Sequence, residues 1–147
     1  MIRLTETSMK PRSRINECAL AIAAIIILLT LACAMKHPEL KVGGLYSVND
    51  GKGNYRVAKI LALDDSAVHI RLYKNKYRSR PATVDASSLS LGTIHDKDGF
   101  GMGHLPLSKV AFANWQPAFL FQSSVTDEEL EGYKMWKEGQ GGVFGDP

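Results

Sequence analysis

The chain has 147 residues, a formal charge of +3 and 45% hydrophobic residues. Setting aside an apolar leader leaves roughly 110 residues, enough for one compact domain and too few for two. Both cysteines, Cys18 and Cys33, fall in that leader, so the remainder needs no disulfide and cysteine catalysis is excluded for it. The charge is split: residues 36–80 carry 10 Lys or Arg against 4 Asp or Glu, and residues 81–147 carry 4 against 9. Such a dipolar chain either complements itself on folding or presents an anion-binding face.

Residues 1–17 are basic through Arg3, Lys10, Arg12 and Arg14, and Met9 offers a second possible start. From Cys18 to Met35 there is no charge, and Thr30 is the one polar side chain. That length sits at the lower limit for spanning a hydrocarbon core about 30 Å thick. Lys10, Arg12 and Arg14 outweigh the following Lys36 and Lys41, which predicts a cytoplasmic N-terminus and an exported C-terminal domain. Residues 18–35 then have three fates: an uncleaved single-pass anchor, a secreted form cut after Ala34 in Ala32-Cys33-Ala34, or a lipoprotein. Leu29-Thr30-Leu31-Ala32-Cys33 resembles a permissive bacterial lipobox, which would make Cys33 the lipidated residue. The expected address is the bacterial inner membrane, with the domain in the periplasm.

After a linker at residues 36–41, the pattern predicts a meander over Leu45–Val48, Tyr55–Leu63 and Val68–Lys74. The connections Asn49-Asp50-Gly51-Lys52-Gly53-Asn54 and Asp64-Asp65-Ser66 hold tight-turn residues. In the third strand Val68, Ile70 and Leu72 alternate with His69, Arg71 and Tyr73, the signature of a half-buried strand with His69 and Arg71 on the face away from the core and His69 solvated. Pro81 interrupts pairing. Short edge strands are expected within Thr83–Leu91, anchored by Val84, Leu89 and Leu91. One or two helical turns are expected within Pro106–Trp115, and a last strand at Phe119–Phe121. Thr126-Asp127-Glu128-Glu129 is a capping box opening a helix to about Lys137, with Leu130, Tyr133 and Trp136 facing the sheet. The expected whole is mainly β: an N-terminal hydrophobic helix, then a small antiparallel barrel over residues 42–138 with a C-terminal helix, α+β overall. A Gly-rich tail occupies 139–147.

Across Val42 to Lys74, Val42-Gly43, Tyr46, the lysine-bearing second strand and the acidic turn resemble the opening of SH3-like and Tudor-like small barrels. Gly44 stands where those barrels often place an acid. That departure weakens any transfer of ligand specificity, and Tudor-type recognition would need an aromatic cage, for which Tyr46, Tyr55 and Tyr73 are the tyrosines at hand. Arg71-Leu72-Tyr73-Lys74-Asn75 and Gly103-His104-Leu105-Pro106-Leu107 also resemble stretches of small bacterial envelope proteins of uncharacterised activity. That implies an envelope address and names no reaction.

Two segments carry the candidate chemistry. The first is the loop His95, Asp96, Asp98, Phe100, Met102 and His104. Its glycines let backbone approach a partner while Phe100, Met102 and His104 stand at the tip. A metal-dependent hydrolase would use His95, Asp96, Asp98 and His104, but the later ligands of a calcium loop are missing. The second is the basic-aromatic run Tyr73, Lys74, Lys76, Tyr77, Arg78 and Arg80, suited to anionic glycans or lipids and also solvated by default. No serine stands in a nucleophile elbow. No cofactor or metal is expected, nor a nucleic-acid partner. The preferred reading is an exported, membrane-tethered, non-enzymatic module that binds a protein; immunity against a toxin is one such role.

Overall fold

The computed structural model describes residues 39–145. The hydrophobic segment 18–35, its Cys33, the basic residues 1–17 and the first part of the linker lie outside the described residues. Among the described residues no helix is long and apolar enough to cross a membrane.

The fold is mainly β. Five strands, β1 (Gly44–Asn49), β2 (Tyr55–Leu63), β3 (Ala67–Leu72), β4 (Met102–Ser108) and β5 (Ala118–Gln122), form one antiparallel sheet in the order β4-β3-β2-β1-β5. Two short helices accompany it, α1 (Lys109–Asn114) and α2 (Glu131–Glu138). The first three strands follow the expected meander, closed by side-chain turns. The Asp50 carboxylate accepts from the N–H of Lys52 at 2.8 Å and of Asn54 at 3.0 Å.

One residue resets the side-chain phase. In β2, Ile60 faces Ile70 but Ala62 faces His69, so Leu61 is an inserted bulge residue. Ile60 and Leu61 are both buried as a result, and Leu63 returns to the core beside Tyr46, Val48, Ile60, Val68, Ile70 and Phe112. α1 supplies Phe112 to that core. The Ser108 hydroxyl accepts from the Ala111 N–H at 3.0 Å to start the helix.

Three expectations need correction. Thr83–Leu91 forms no strand: Asp85 caps a single 3-10 turn, Ala86–Ser88, and Leu89 leaves it extended. The short polar side chains there satisfy the backbone locally and compete with pairing. Residues expected at the loop tip, Met102 to His104, belong to β4, where Met102 pairs with Leu72. The Gly-rich end does not leave the domain, because Phe144 bridges Leu107 and its N–H donates to the Pro106 carbonyl at 3.0 Å.

The capping-box bonds form, but they close turns over residues 127–130 and not the expected helix, which begins at Glu131 after Leu130 with no side-chain cap bond. The Thr126 N–H donates to Glu129 Oε2 at 3.0 Å, and the Glu129 N–H donates to Thr126 Oγ1 at 3.3 Å. Turns over residues 127–130 lead into α2, which rests on the sheet through Tyr133 and Trp136.

Candidate functional site

The second face of the sheet is covered too, and there Ser47, Lys59, His69 and Arg71 stand among the buried apolar side chains Leu45 and Val57. His69, expected in solvent, is completely buried, because Tyr133 and Trp136 of α2 close over its ring at centroid distances of 4.7 and 4.4 Å. Strand alternation identified the face of His69 but not what lies on it. His69 Nε2 is 2.9 Å from Asp64 Oδ2, and His69 Nδ1 is 3.1 Å from His104 Nε2, the two imidazoles lying within 3° of parallel. The Tyr133 hydroxyl donates to the other Asp64 oxygen at 3.1 Å. Asp64 was expected only to shape a turn; it also joins Tyr133 to His69 in this relay.

Bonding fixes the protons. A carboxylate accepts only, so His69 Nε2 carries hydrogen and Nδ1 is left as an acceptor for the Nε2–H of His104. Burial pushes the His69 pKa down, and Asp64 offsets this in part. Burial, with His69 adjoining, pushes His104 down as well. Both imidazoles are thus neutral near pH 7, in an ordered chain that runs Tyr133–Asp64–His69–His104. Gly132 lets α2 approach it closely: a Cβ at that position would lie 2.6 Å from His104 Cβ.

Beside the relay lies a buried ion cluster that the sequence reading missed. Lys59 Nζ donates to Glu129 Oε1 and Oε2 at 2.9 and 2.8 Å and to the Ser124 carbonyl at 2.6 Å. Arg71, paired with Lys59 across the strands, approaches Glu129 at 3.6 Å. Burial raises the Glu129 pKa, yet the Lys59 ammonium, the Thr126 N–H and Arg71 outweigh it and leave the group below its ordinary value. A lysine inside the otherwise apolar run Val57–Leu63 was the available signal, since such a charge is buried only with a partner.

Of the loop residues, His104 turns inward to His69, while His95 is exposed and Asp96 is held by Lys74 at 2.5 Å and by the Thr93 hydroxyl at 2.8 Å. These contacts hold the Asp96 carboxyl down at about 2. The proposed ligand set of His95, Asp96, Asp98 and His104 therefore does not assemble. Among the described residues no three His, Cys, Asp or Glu gather as a metal site. Tyr46 is fully buried and Tyr55 lies 4.6 Å beneath Arg80, so neither contributes to an open aromatic cage.

The fold does bring the other loop residues together with the basic run. Arg56 is the tie, donating to the Tyr73 carbonyl at 2.9 and 2.7 Å and to the Phe100 carbonyl at 3.2 Å. Lys76 Nζ donates to the Asp98 carbonyl at 2.9 Å. The result is a cleft of about 320 Å³ between the β1–β2 turn and the loop, with Lys52, Arg56 and Lys76 facing Asp50 and Asp98. Phe100 and Met102, 49% and 43% exposed, form its apolar part. Elsewhere in the basic run, Arg80 donates to the Ser47 carbonyl at 2.8 Å, Tyr77 pairs with Tyr55 through backbone, and Arg78 is exposed. Compared with known proteins, the chain matches no family model, no curated protein and no solved structure.

Proposed function

We propose that the chain is a membrane-tethered, exported, non-enzymatic interaction module that takes an extended peptide segment of a protein partner into the cleft beside Phe100 and Met102. The observation that carries this reading is the convergence of two candidate segments, distant in sequence, on one concave surface with exposed apolar residues among mixed charges. Such a surface suits a ligand that offers an apolar side chain flanked by acid and base. The five-strand antiparallel sheet, whose last strand returns beside the first, supports the SH3-like form of the reading. The charge asymmetry about residues 18–35 supports an inner-membrane tether with a periplasmic domain, the lipidated Cys33 and the form cleaved after Ala34 being the alternative mature ends.

The competing enzyme reading, which needs His95, Asp96, Asp98 and His104 together, loses support from geometry. His104 turns inward to His69, and Asp96 is held by Lys74 and Thr93. A glycan- or lipid-binding basic run is also weakened, because Lys74, Lys76 and Arg80 already bond within the domain.

A photo-crosslinking amino acid in place of Phe100 tests the proposal in envelopes of the producing cell. One discrete heavier adduct is expected from position 100, absent from exposed position 138, and reduced by Lys76→Glu. Phe100→Ala should leave stability within about 0.5 kcal/mol, as for an exposed side chain. Adducts of equal yield from both positions, or none from position 100, would reject the cleft as the binding surface.

A further inference from the structure

The helix over the histidines is held by little else. No residue of α2 is buried, and the apolar core is made by β1 to β4 and α1. α2 leans instead on His69 through Tyr133 and Trp136, on Asp64 through the Tyr133 hydroxyl, and on His104 through Gly132. A helix of eight residues does not persist in water unaided. Its two ends are pinned separately. Before it, Lys59, Arg71 and the Thr126 N–H hold Glu129. After it, Trp136 Nε1 donates to the Gly142 carbonyl at 2.8 Å, and Phe144 then pairs with β4. α2 is thus a flap between two fixed points, closed on a pair of imidazoles.

The ring contact limits how many protons the closed flap can hold. At 3.1 Å, His69 Nδ1 and His104 Nε2 need one hydrogen between them. A first added proton fits on His104 Nδ1, because Nε2–H still donates to His69. A second has only His69 Nδ1 left, since His69 Nε2–H already faces Asp64. It would set two N–H donors head to head. The closed pair takes one added proton and the opened pair two, so acid draws the flap open. Neighbouring charges do not offset this. Asp64 is the one carboxylate bonded to the pair, and Glu129 is engaged by Lys59 and Arg71 on the same strand face. β4 brings no charge besides His104, and α2 brings Lys137 over the Tyr133 ring at 5.7 Å, while Lys134 bonds Asp127. Asp65, Glu131 and Glu138 are exposed. Burial already holds both histidines below their ordinary pKa.

We propose that the His69–His104 contact is an acid-operated latch: with both rings protonated, α2 lifts from β3 and β4 as a flap while the apolar core on the opposite face stays folded. Opening uncovers the sheet beneath Tyr133 and Trp136, a change of surface set by pH. It requires neither the tether nor the cleft at Phe100.

The test follows the full chain in detergent micelles, with Trp115→Phe leaving Trp136 as its one tryptophan. Acrylamide quenching of Trp136 should rise roughly three-fold between about pH 7 and about pH 5, the range in which histidine changes charge. Amides of β2 and β3 should keep their hydrogen-exchange protection over that range, measured against unstructured-chain rates at each pH. The ring NMR signals of His69 and His104 should titrate with the same midpoint as the quenching. In His104→Gln the rise should be lost, because the amide can turn its oxygen to a protonated His69 and keep the contact. Quenching that stays level to pH 5, or rises equally in His104→Gln, would overturn the latch. So would protection lost from β2 and β3 at the same midpoint, which is unfolding of the whole domain. A histidine midpoint apart from the quenching midpoint would overturn it whether or not the variant folds.

Discussion

The two faces of the sheet are built from the same strands under opposite rules. On one, Tyr46, Val48, Ile60, Val68, Ile70, Leu107 and Phe112 pack as an ordinary apolar core. On the other, Lys59, His69, Arg71 and Glu129 are covered by α2 and its lead-in beside the apolar Leu45 and Val57; the Tyr133 and Trp136 rings close over His69, and polar partners meet the buried charges. A core side chain that loses a methyl group loses transfer energy and leaves a cavity. A partner lost from the polar face leaves a charge or a donor stranded, which is the more damaging event. The face that resembles a surface in sequence is therefore the less forgiving one.

The contrast is broken most severely at the ion pair. Lys59→Met strands Glu129, and urea denaturation should show a loss of about 3–5 kcal/mol, much of which the double variant Lys59→Met/Glu129→Leu should restore. A single variant no worse than a surface change would show that the polar face does not depend on this pair. Gly132→Ala comes next. Alanine normally stabilises a helix interior by about 1 kcal/mol relative to glycine. Here its Cβ meets His104, and a net loss of about 1–3 kcal/mol is expected from overpacking. Histidine ring NMR signals shifted at His104 and His69 would place the disturbance.

The smallest effect is a graded one with pH. Both histidines have pKa values depressed below the ordinary 6.5, so the unfolded chain binds more protons as pH falls. Their contribution is complete above that value and fades as pH drops below it. Glu129, depressed below the ordinary 4.5, adds a second loss in the same direction at lower pH. Denaturation midpoints should be level near neutrality and then fall in two stages. Replacing His69 and His104 together by Gln should remove the first stage and keep the second. A midpoint flat from about pH 7 to 5 in the unaltered chain would contradict the neutral relay.

The sequence by itself determined what depends on neighbours in the chain. Turn residues at 49–54 and 64–66, the period-2 alternation of β3 and the capping box at Thr126–Glu129 are local signals, and β1, β2, β3 and the turned lead-in to α2 followed from them. The loop with Phe100 and Met102 and the run with Lys76 were each visible as segments. Their meeting in one cleft was not, because Arg56 joins them through backbone carbonyls, which have no sequence signature. The bulge at Leu61 was equally hidden, since inserting one residue into a ladder is a decision of the pair and not of either strand. Tertiary structure alone decided the fate of His69 and Lys59. Alternation assigns a residue to a face, but whether that face meets water or a docked helix depends on chain more than sixty residues away, where Glu129 and Tyr133 lie.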